Sequence, residues 1–277
     1  MALPGLLGVI VERTLADVRD RKGRVSRRDL EELAARRAGT RRPFSEALHR
    51  SADQPIRFLA EIKKASPSKG VLDADLDPVR LAALYGENGA SAISVVTEPH
   101  FFQGEMTFLA RAREAATGLP LLRKDFHVHE LQVLETAAGD ADALLFIVAA
   151  LAPNQLRDYL DMAAAFGLEH LVEVGTRREA EIALRAGARA VGVNNRDLTT
   201  FRVDPERTAS VLPVLLEAEA ISVAESGIHD RAAVLRFQAL GVHALLVGEA
   251  LVTAAEPGKM LRTLRGLSAD GEEGSAP

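Results

Sequence analysis

From residue 55 onward the chain repeats one alternation of apolar and polar positions. Short apolar runs, many β-branched, recur at RFLAEI (57–62), SAISVV (91–96), LPLLR (119–123), ALLFIV (143–148), HLVEV (170–174), AVGVN (190–194), AISVA (220–224) and HALLV (243–247). Runs of this length and composition predict buried strands. Between them lie stretches with apolar residues at helical spacing, such as DPVRLAALYGENGA (77–90) and TRREAEIALRAGA (176–188). Several close on Gly89-Ala90, Gly187-Ala188 or Gly241-Val242. Glycine just past a helix accepts the positive φ that ends it.

Eight strands separated by helices predict an α/β protein with a parallel sheet covered by helices. Eight such units between residues 55 and 265 fit a closed (β/α)8 TIM barrel. The competing architecture, a doubly wound open sheet, usually carries a GxGxxG turn after its first strand. None follows RFLAEI. Residues 1–50 predict an N-terminal helical extension, and residues 267–277, rich in Gly, Ser and acids, predict a disordered tail. No linker suggests a second independent unit, so residues 1–277 are expected to form a single domain.

Composition narrows the setting. The 277 residues are 47% hydrophobic and 26% charged, ordinary for a soluble globular protein. The absence of cysteine excludes disulfides, thiolate nucleophiles and Cys-ligated metals. The longest apolar run, ALLFIVAALA (143–152), is half the roughly 20 residues a membrane span needs. MALPGLLGVIVERT lacks the positive leading region and cleavage site of a signal peptide. A cytoplasmic protein without membrane contact is expected. Net charge is −5, yet residues 19–50 hold eleven Lys/Arg against five acids, a local balance of +6. That segment reads either as a nucleic-acid face or as a solvated helix face. RRDLEELAARRA has helical spacing and no interleaved aromatic, which favours the solvated face and no nucleic-acid partner.

Candidate chemistry gathers where strands end. AEIKKASPSKG (60–70) carries Glu61 and Lys63 two apart, hence on one face of the first strand, with Lys64 on the other. Further polar groups follow: Lys124 and Asp125 after the third strand, Glu173 in the fifth, and Asn194, Asn195 and Arg196 after the sixth. Glu225, Ser226 and Gly227 end the seventh, and Gly248 and Glu249 the eighth. One charge of this kind is readily half of a structural ion pair. Six strand ends bearing such groups point instead to one mouth, because barrel active sites lie at C-terminal strand ends. The short Gly turns SGI and GEAL lead into helices, as phosphate loops do. There the backbone N–H of Glu249, not its carboxylate, is expected to matter. Lysines and glutamates together suggest acid–base catalysis, with burial lowering a lysine pKa and raising a glutamate pKa. A Schiff base on Lys63 or Lys124 is also open. The HxH pair His127/His129 offers half a metal site among lysines, so no metal is expected. PSKG (67–70) predicts a mobile loop or lid.

In order, AEIKKASPSKG, DPVRLAALYGENGASAISVVTEPHFFQG, LLRKDF, LVEV, VGVNNRDLTTF, VAESGI and LLVGEAL resemble the indole-3-glycerol phosphate synthase family of tryptophan biosynthesis, over about residues 5–265. The resemblance implies N-terminal helices that help cover the site. It also implies the substrate 1-(2-carboxyphenylamino)-1-deoxyribulose 5-phosphate, closed to indole-3-glycerol phosphate with loss of CO2 and water, and no cofactor. By resemblance, Lys124 is the general acid of ring closure, Glu173 the general base of dehydration and Lys63 a second acid. Glu61 and Asn194 orient these groups. Ser66, Arg196, Glu225 and Ser226 bind substrate, and Gly227, Gly248 and Glu249 cradle its phosphate. The expected assembly is a monomer or weak homodimer. Departures are Gly175 after LVEV, where histidine is commoner, and Glu105-Met106 after FFQG. Two rivals remain. Phosphoribosylanthranilate isomerase would leave Lys63 and Lys124 without roles, and its Cys-plus-Asp form of catalysis has no cysteine here. A non-catalytic phosphate-binding barrel predicts gaps in the acid–base set.

Overall fold

A computed structural model of the chain describes residues 5–197 and 202–267; apart from Leu267, the tail expected over 267–277 lies outside these described residues. Eight parallel strands form a closed barrel: β1 (Arg57–Ile62), β2 (Ala92–Val96), β3 (Leu121–Lys124), β4 (Ala143–Ile147), β5 (Glu169–Val174), β6 (Ala190–Asn194), β7 (Ile221–Glu225) and β8 (Ala244–Val247). Strand β1 closes the circle, pairing Leu59 with Ala92 of β2 and Phe58 with Leu245 of β8. Every expected strand is present. The third starts two residues late, as Pro120 has no N–H to give the ladder.

The extension supplies α1 (Gly5–Lys22), α2 (Arg27–Arg37) and α3 (Phe44–Leu48). Helices α4 (Pro78–Glu87), α5 (Thr107–Ala115), α6 (Glu130–Ala138), α7 (Pro153–Ala165), α8 (Arg177–Arg185), α9 (Glu206–Glu217), α10 (Arg231–Leu240), α11 (Glu249–Val252) and α12 (Pro257–Arg265) follow the strands. Their starts are encoded locally. Asp77 accepts the N–H of Val79 with Pro78 in the first turn, Thr176 accepts that of Glu179, and Asp230 that of Ala233. Their ends follow the expected rule: Gly187 has φ 100° and Gly241 φ 91°. No helix among the described residues is long and apolar enough to cross a membrane.

The strand period sorts the inward face into two levels. Leu59, Leu122, Leu171 and Val223 point into the barrel and form an apolar core with Ala143, Leu145, Ala190 and Ala244. Two residues further along the same faces stand Glu61, Lys124, Glu173 and Glu225. Phe44 and Leu48 of α3, both fully buried, close that core from the N-terminal ends of the strands.

Here one expectation needs correction. The solvated-face reading suits α2, whose Arg27–Glu31 and Arg28–Glu32 pairs are exposed. It fails for Arg41, Arg42 and Arg50, which fold under the barrel. Arg41 donates to the carbonyls of Phe166 (3.1 Å) and Ala137 (2.6 Å), Arg42 to that of Leu119 (2.6 Å), and Arg50 to those of Val242 (2.8 Å) and Gln54 (3.0 Å). Glu169 accepts the N–H groups of Phe44 (3.0 Å) and Ser45 (2.8 Å). Charge counting along the chain cannot separate a solvated arginine from one that caps loose carbonyls.

Candidate active site

The C-terminal ends of the strands open into one cavity. Glu61, Lys63, Ser66, Lys124, Glu173, Asn194, Arg196, Glu225, Ser226, Gly227, Gly248 and Glu249 all line it. Lys64 does not, as the strand period required.

At its centre is Lys124, the last residue of β3. Its Nζ lies 3.7 Å from Glu173 Oε2 and 3.9 Å from both Glu61 Oε2 and Glu225 Oε2. Just past β1, Lys63 Nζ donates to Glu61 Oε1 at 2.5 Å. Asn194 Nδ2 donates to Glu173 Oε1 (3.0 Å), while Asn194 Oδ1 accepts the Ser226 hydroxyl (3.0 Å) and the Arg196 N–H (3.0 Å). The chain Ser226–Asn194–Glu173 thereby fixes the direction of the Glu173 carboxylate.

Protonation follows from burial and these neighbours. Burial pushes the Lys124 pKa down, but Glu173, Glu61 and Glu225 outweigh it and hold the ammonium above its ordinary value. The expected lowering of a lysine pKa is therefore wrong for Lys124: three carboxyl groups surround it. Burial alone would raise Glu61, yet Lys63 and Lys124 bring it below the usual carboxylate value. Burial and the nearby Glu173 push Glu225 up to about 8, against the pull of Lys124. Glu225 therefore carries its proton at neutral pH, as expected of a buried glutamate, whereas Glu61 does not.

The opposite side of the mouth is built from turns. Ser226 (φ 66°) and Gly227 (φ 83°) form a left-handed turn after β7, and Gly248 precedes α11. The Glu249 carboxylate, expected to matter less than its N–H, has partners. It lies 3.5 Å from the Arg196 guanidinium and 3.6 Å from Lys69 Nζ, joining the loops after β1 and β6. The PSKG loop closes a two-residue hairpin in which Ala65–Ser66 pairs with Gly70–Val71. Ser66 Oγ, inside the cavity, is buried without a hydrogen-bond partner.

Other collected residues serve the frame. Asn195 is fully buried and donates to the carbonyls of Glu225 (3.0 Å) and Ser226 (3.2 Å), pinning the end of β7. Asp125 pairs with Arg123 (2.8 Å) and Thr97 (2.7 Å) behind Lys124. His127 binds the Leu145 carbonyl, and burial lowers its pKa to about 3. His129 accepts the Leu131 N–H at the start of α6. Among the described residues no cluster of three or more His, Cys, Asp or Glu could hold a metal ion.

Two kinds of lining residue escaped the sequence reading. Glu98, after β2, accepts the N–H groups of His100 (2.9 Å), Phe101 (2.7 Å) and Phe102 (2.9 Å), shaping a wall of the cavity. The rule that found the other strand-end charges would have found it. The apolar wall of Phe102, Phe126, Leu6, Leu7 and Ile10 brings α1 over the mouth. Phe102 and Phe126 stand 6.1 Å apart. Nothing local marks the α1 residues as part of a site.

A family model described as indole-3-glycerol phosphate synthase matches residues 7–264. The indole-3-glycerol phosphate synthase of Dehalococcoides mccartyi strain CBDB1 is 44% identical over 261 residues, 94% of this chain and 99% of its own. That of Chlorobium luteolum is 50% identical over 215 residues, 78% of this chain and 81% of its own. Solved structures share the fold at low identity. A 3-hexulose-6-phosphate synthase reaches a TM-score of 0.55 at 16% identity, covering 76% of this chain and 99% of its own. Thiamine phosphate pyrophosphorylase from Pyrococcus furiosus reaches 0.56 at 20%, covering 76% and 94%.

Proposed function

This chain belongs to the indole-3-glycerol phosphate synthase family, and we propose the following division of its reaction among the mouth residues. The enzyme is a carboxy-lyase of tryptophan biosynthesis. It converts 1-(2-carboxyphenylamino)-1-deoxyribulose 5-phosphate to indole-3-glycerol phosphate, CO2 and water. The observation that carries the proposal is one ammonium, Lys124, within 3.9 Å of three inward carboxyl groups at an apolar-walled mouth.

The aryl ring lies against Phe102, Phe126 and the α1 side chains, and the phosphate meets the N–H groups of Gly227, Gly248 and Glu249. The ring carbon bearing the carboxylate bonds to the ribulose carbonyl carbon, and the carbonyl oxygen gains negative charge. Lys124 donates a proton to that oxygen. Its raised pKa keeps the proton available until a strongly basic alkoxide forms. Loss of CO2 returns the bonding electrons to the ring. In the dehydration, Glu173 takes a proton from the adjacent carbon and Lys63 gives one to the departing hydroxyl. Asn194 and Glu61 keep the base and the second acid in place, supported by their bonds to Glu173 and Lys63. Ser66, Arg196, Glu225 and Ser226 face the substrate. Acid–base side chains move every proton, so the mechanism calls for no cofactor. The same reading sets the enzyme in the cytoplasm as a monomer or weak homodimer, with no nucleic-acid partner.

Purified protein mixed with the carboxyphenylamino-deoxyribulose phosphate should produce indole fluorescence. A folded protein giving no signal above a no-enzyme control overturns the reading.

A further inference from the structure

Two glycines of the barrel mouth lack a backbone reason to be glycine. Gly192 is the only glycine within the eight barrel strands, and its φ is outside the left-handed region. Gly248 has φ −124°. A glycine inside a strand weakens it and usually marks a bulge or a close approach. There is no bulge at Gly192, which pairs in regular register with Glu173 on one side and Val223 on the other. The close approach is plain at both positions. A Cβ on Gly192 would lie 2.0 Å from Glu225 Oε1 and 3.1 Å from its carboxyl carbon. A Cβ on Gly248 would lie 2.3 Å from Glu61 Oε1 and 3.0 Å from its carboxyl carbon.

We propose that Gly192 and Gly248 are positioning residues, whose missing side chains leave the seats in which the Glu225 and Glu61 carboxyl groups lie beside Lys124. The register shows how the first seat works. Glu225 stands opposite Asn194, so reaching Gly192 means that its carboxyl turns back into the barrel, away from the opening. Lys124 approaches its Oε2 at 3.9 Å, but Glu225 Oε1 has no hydrogen-bond partner, and the residue is 1% exposed. Any side chain at 192 collides with the carboxyl and forces it out of this seat. The missing side chains thus act through glutamates, a role separate from the one proposed for the Gly248 N–H at the phosphate.

The kinetic arm of the test rests on the synthase reading; the titration arm does not. In 13C-carboxyl NMR the Glu225 signal, assigned by its loss in Glu225→Gln, should titrate near 8. In Gly192→Ala its midpoint should move by at least one pH unit. Gly192→Ala should lower kcat at least tenfold with KM within threefold. Glu225→Asp shortens the side chain and relieves the clash. The double variant should therefore be at least fivefold more active than the product of the two single losses. An unmoved midpoint with additive losses overturns the proposal. If Gly192→Ala fails to fold, the matching pair Gly248→Ala and Glu61→Asp is read the same way. Should neither alanine variant fold, a cooperative melt restored by the shorter acid supports the proposal, and no restoration overturns it. Inactive wild-type protein would sink the synthase reading and leave the titration to decide this one.

Discussion

The two ends of the barrel bury charge in opposite ways. At the floor, Arg41, Arg42 and Arg50 spread their donors over backbone carbonyls, and Glu169 accepts two N–H groups at 3.0 and 2.8 Å. At the mouth, Lys124 reaches its three carboxyl partners only at 3.7–3.9 Å, beyond good hydrogen-bond length, and Glu225 Oε1 has no partner. The floor resembles a saturated network, which stabilises because each buried polar group is satisfied. The mouth is crowded and under-satisfied, so its groups keep perturbed pKa values and free capacity for a substrate. Both belong to one barrel, and the extension touches both, with α1 over the opening and α3 under the core. The difference separates residues that hold the fold from residues that do chemistry.

That contrast can be broken by measurement. The largest effect should come from the mouth. Lys124→Ala should lower kcat by about 10³-fold, near 4 kcal/mol, with KM within about tenfold, because the proposed acid acts in the transition state. A near-normal kcat would remove Lys124 from the acid role. Phe44→Ala should act only on the fold, costing about 3 kcal/mol in denaturant unfolding while the folded fraction keeps its kcat. A slow enzyme with an unchanged melt would mean that floor and mouth are not separable. Arg42→Met should cost about 1–3 kcal/mol by stranding the Ala116 and Leu119 carbonyls, again without a change in kcat.

Glu225→Gln tests the mouth through pH. The folded-state pKa of Glu225, about 8, lies above its ordinary value, so the native state holds this proton more tightly than the unfolded chain. Its share of stability is full below the unfolded carboxyl pKa and is lost as pH rises toward 8. The melting temperature of Glu225→Gln relative to wild type should therefore climb between pH 5 and pH 9. A flat difference would show that Glu225 is ionised in the folded protein. The smallest effect belongs to Lys64→Ala, expected to change kcat and KM less than twofold because its side chain lies outside the cavity.

Much of this was readable in one dimension because it is encoded by short-range rules. Apolar runs gave the eight strands, with Pro120 explaining the two-residue delay of the third. Period two put Glu61 and Lys63 on one face and Lys64 on the other. Strand-end charges gathered the residues that line the cavity, though the same rule was not carried to Glu98. What failed did so where neighbours are distant in sequence. Arg41 and Arg50 looked like a solvated surface because their acceptors, Phe166 and Val242, lie far along the chain. The Glu249 carboxylate's partners, Lys69 and Arg196, were not foreseen because they come from other loops.

The sequence by itself determined the repeating βα pattern, the helix caps and stops, and which residue types stand at the strand ends, since each depends on residues a few positions apart. Only the tertiary structure decided the protonation and packing of the mouth. Three carboxyl groups from β1, β5 and β7 converge on one lysine of β3, raising its pKa where burial alone would have lowered it. Two glycines make room for that convergence, and α1 roofs it. Electrostatic energy and van der Waals exclusion depend on distance in space, which closure of the barrel sets and the order of residues does not show.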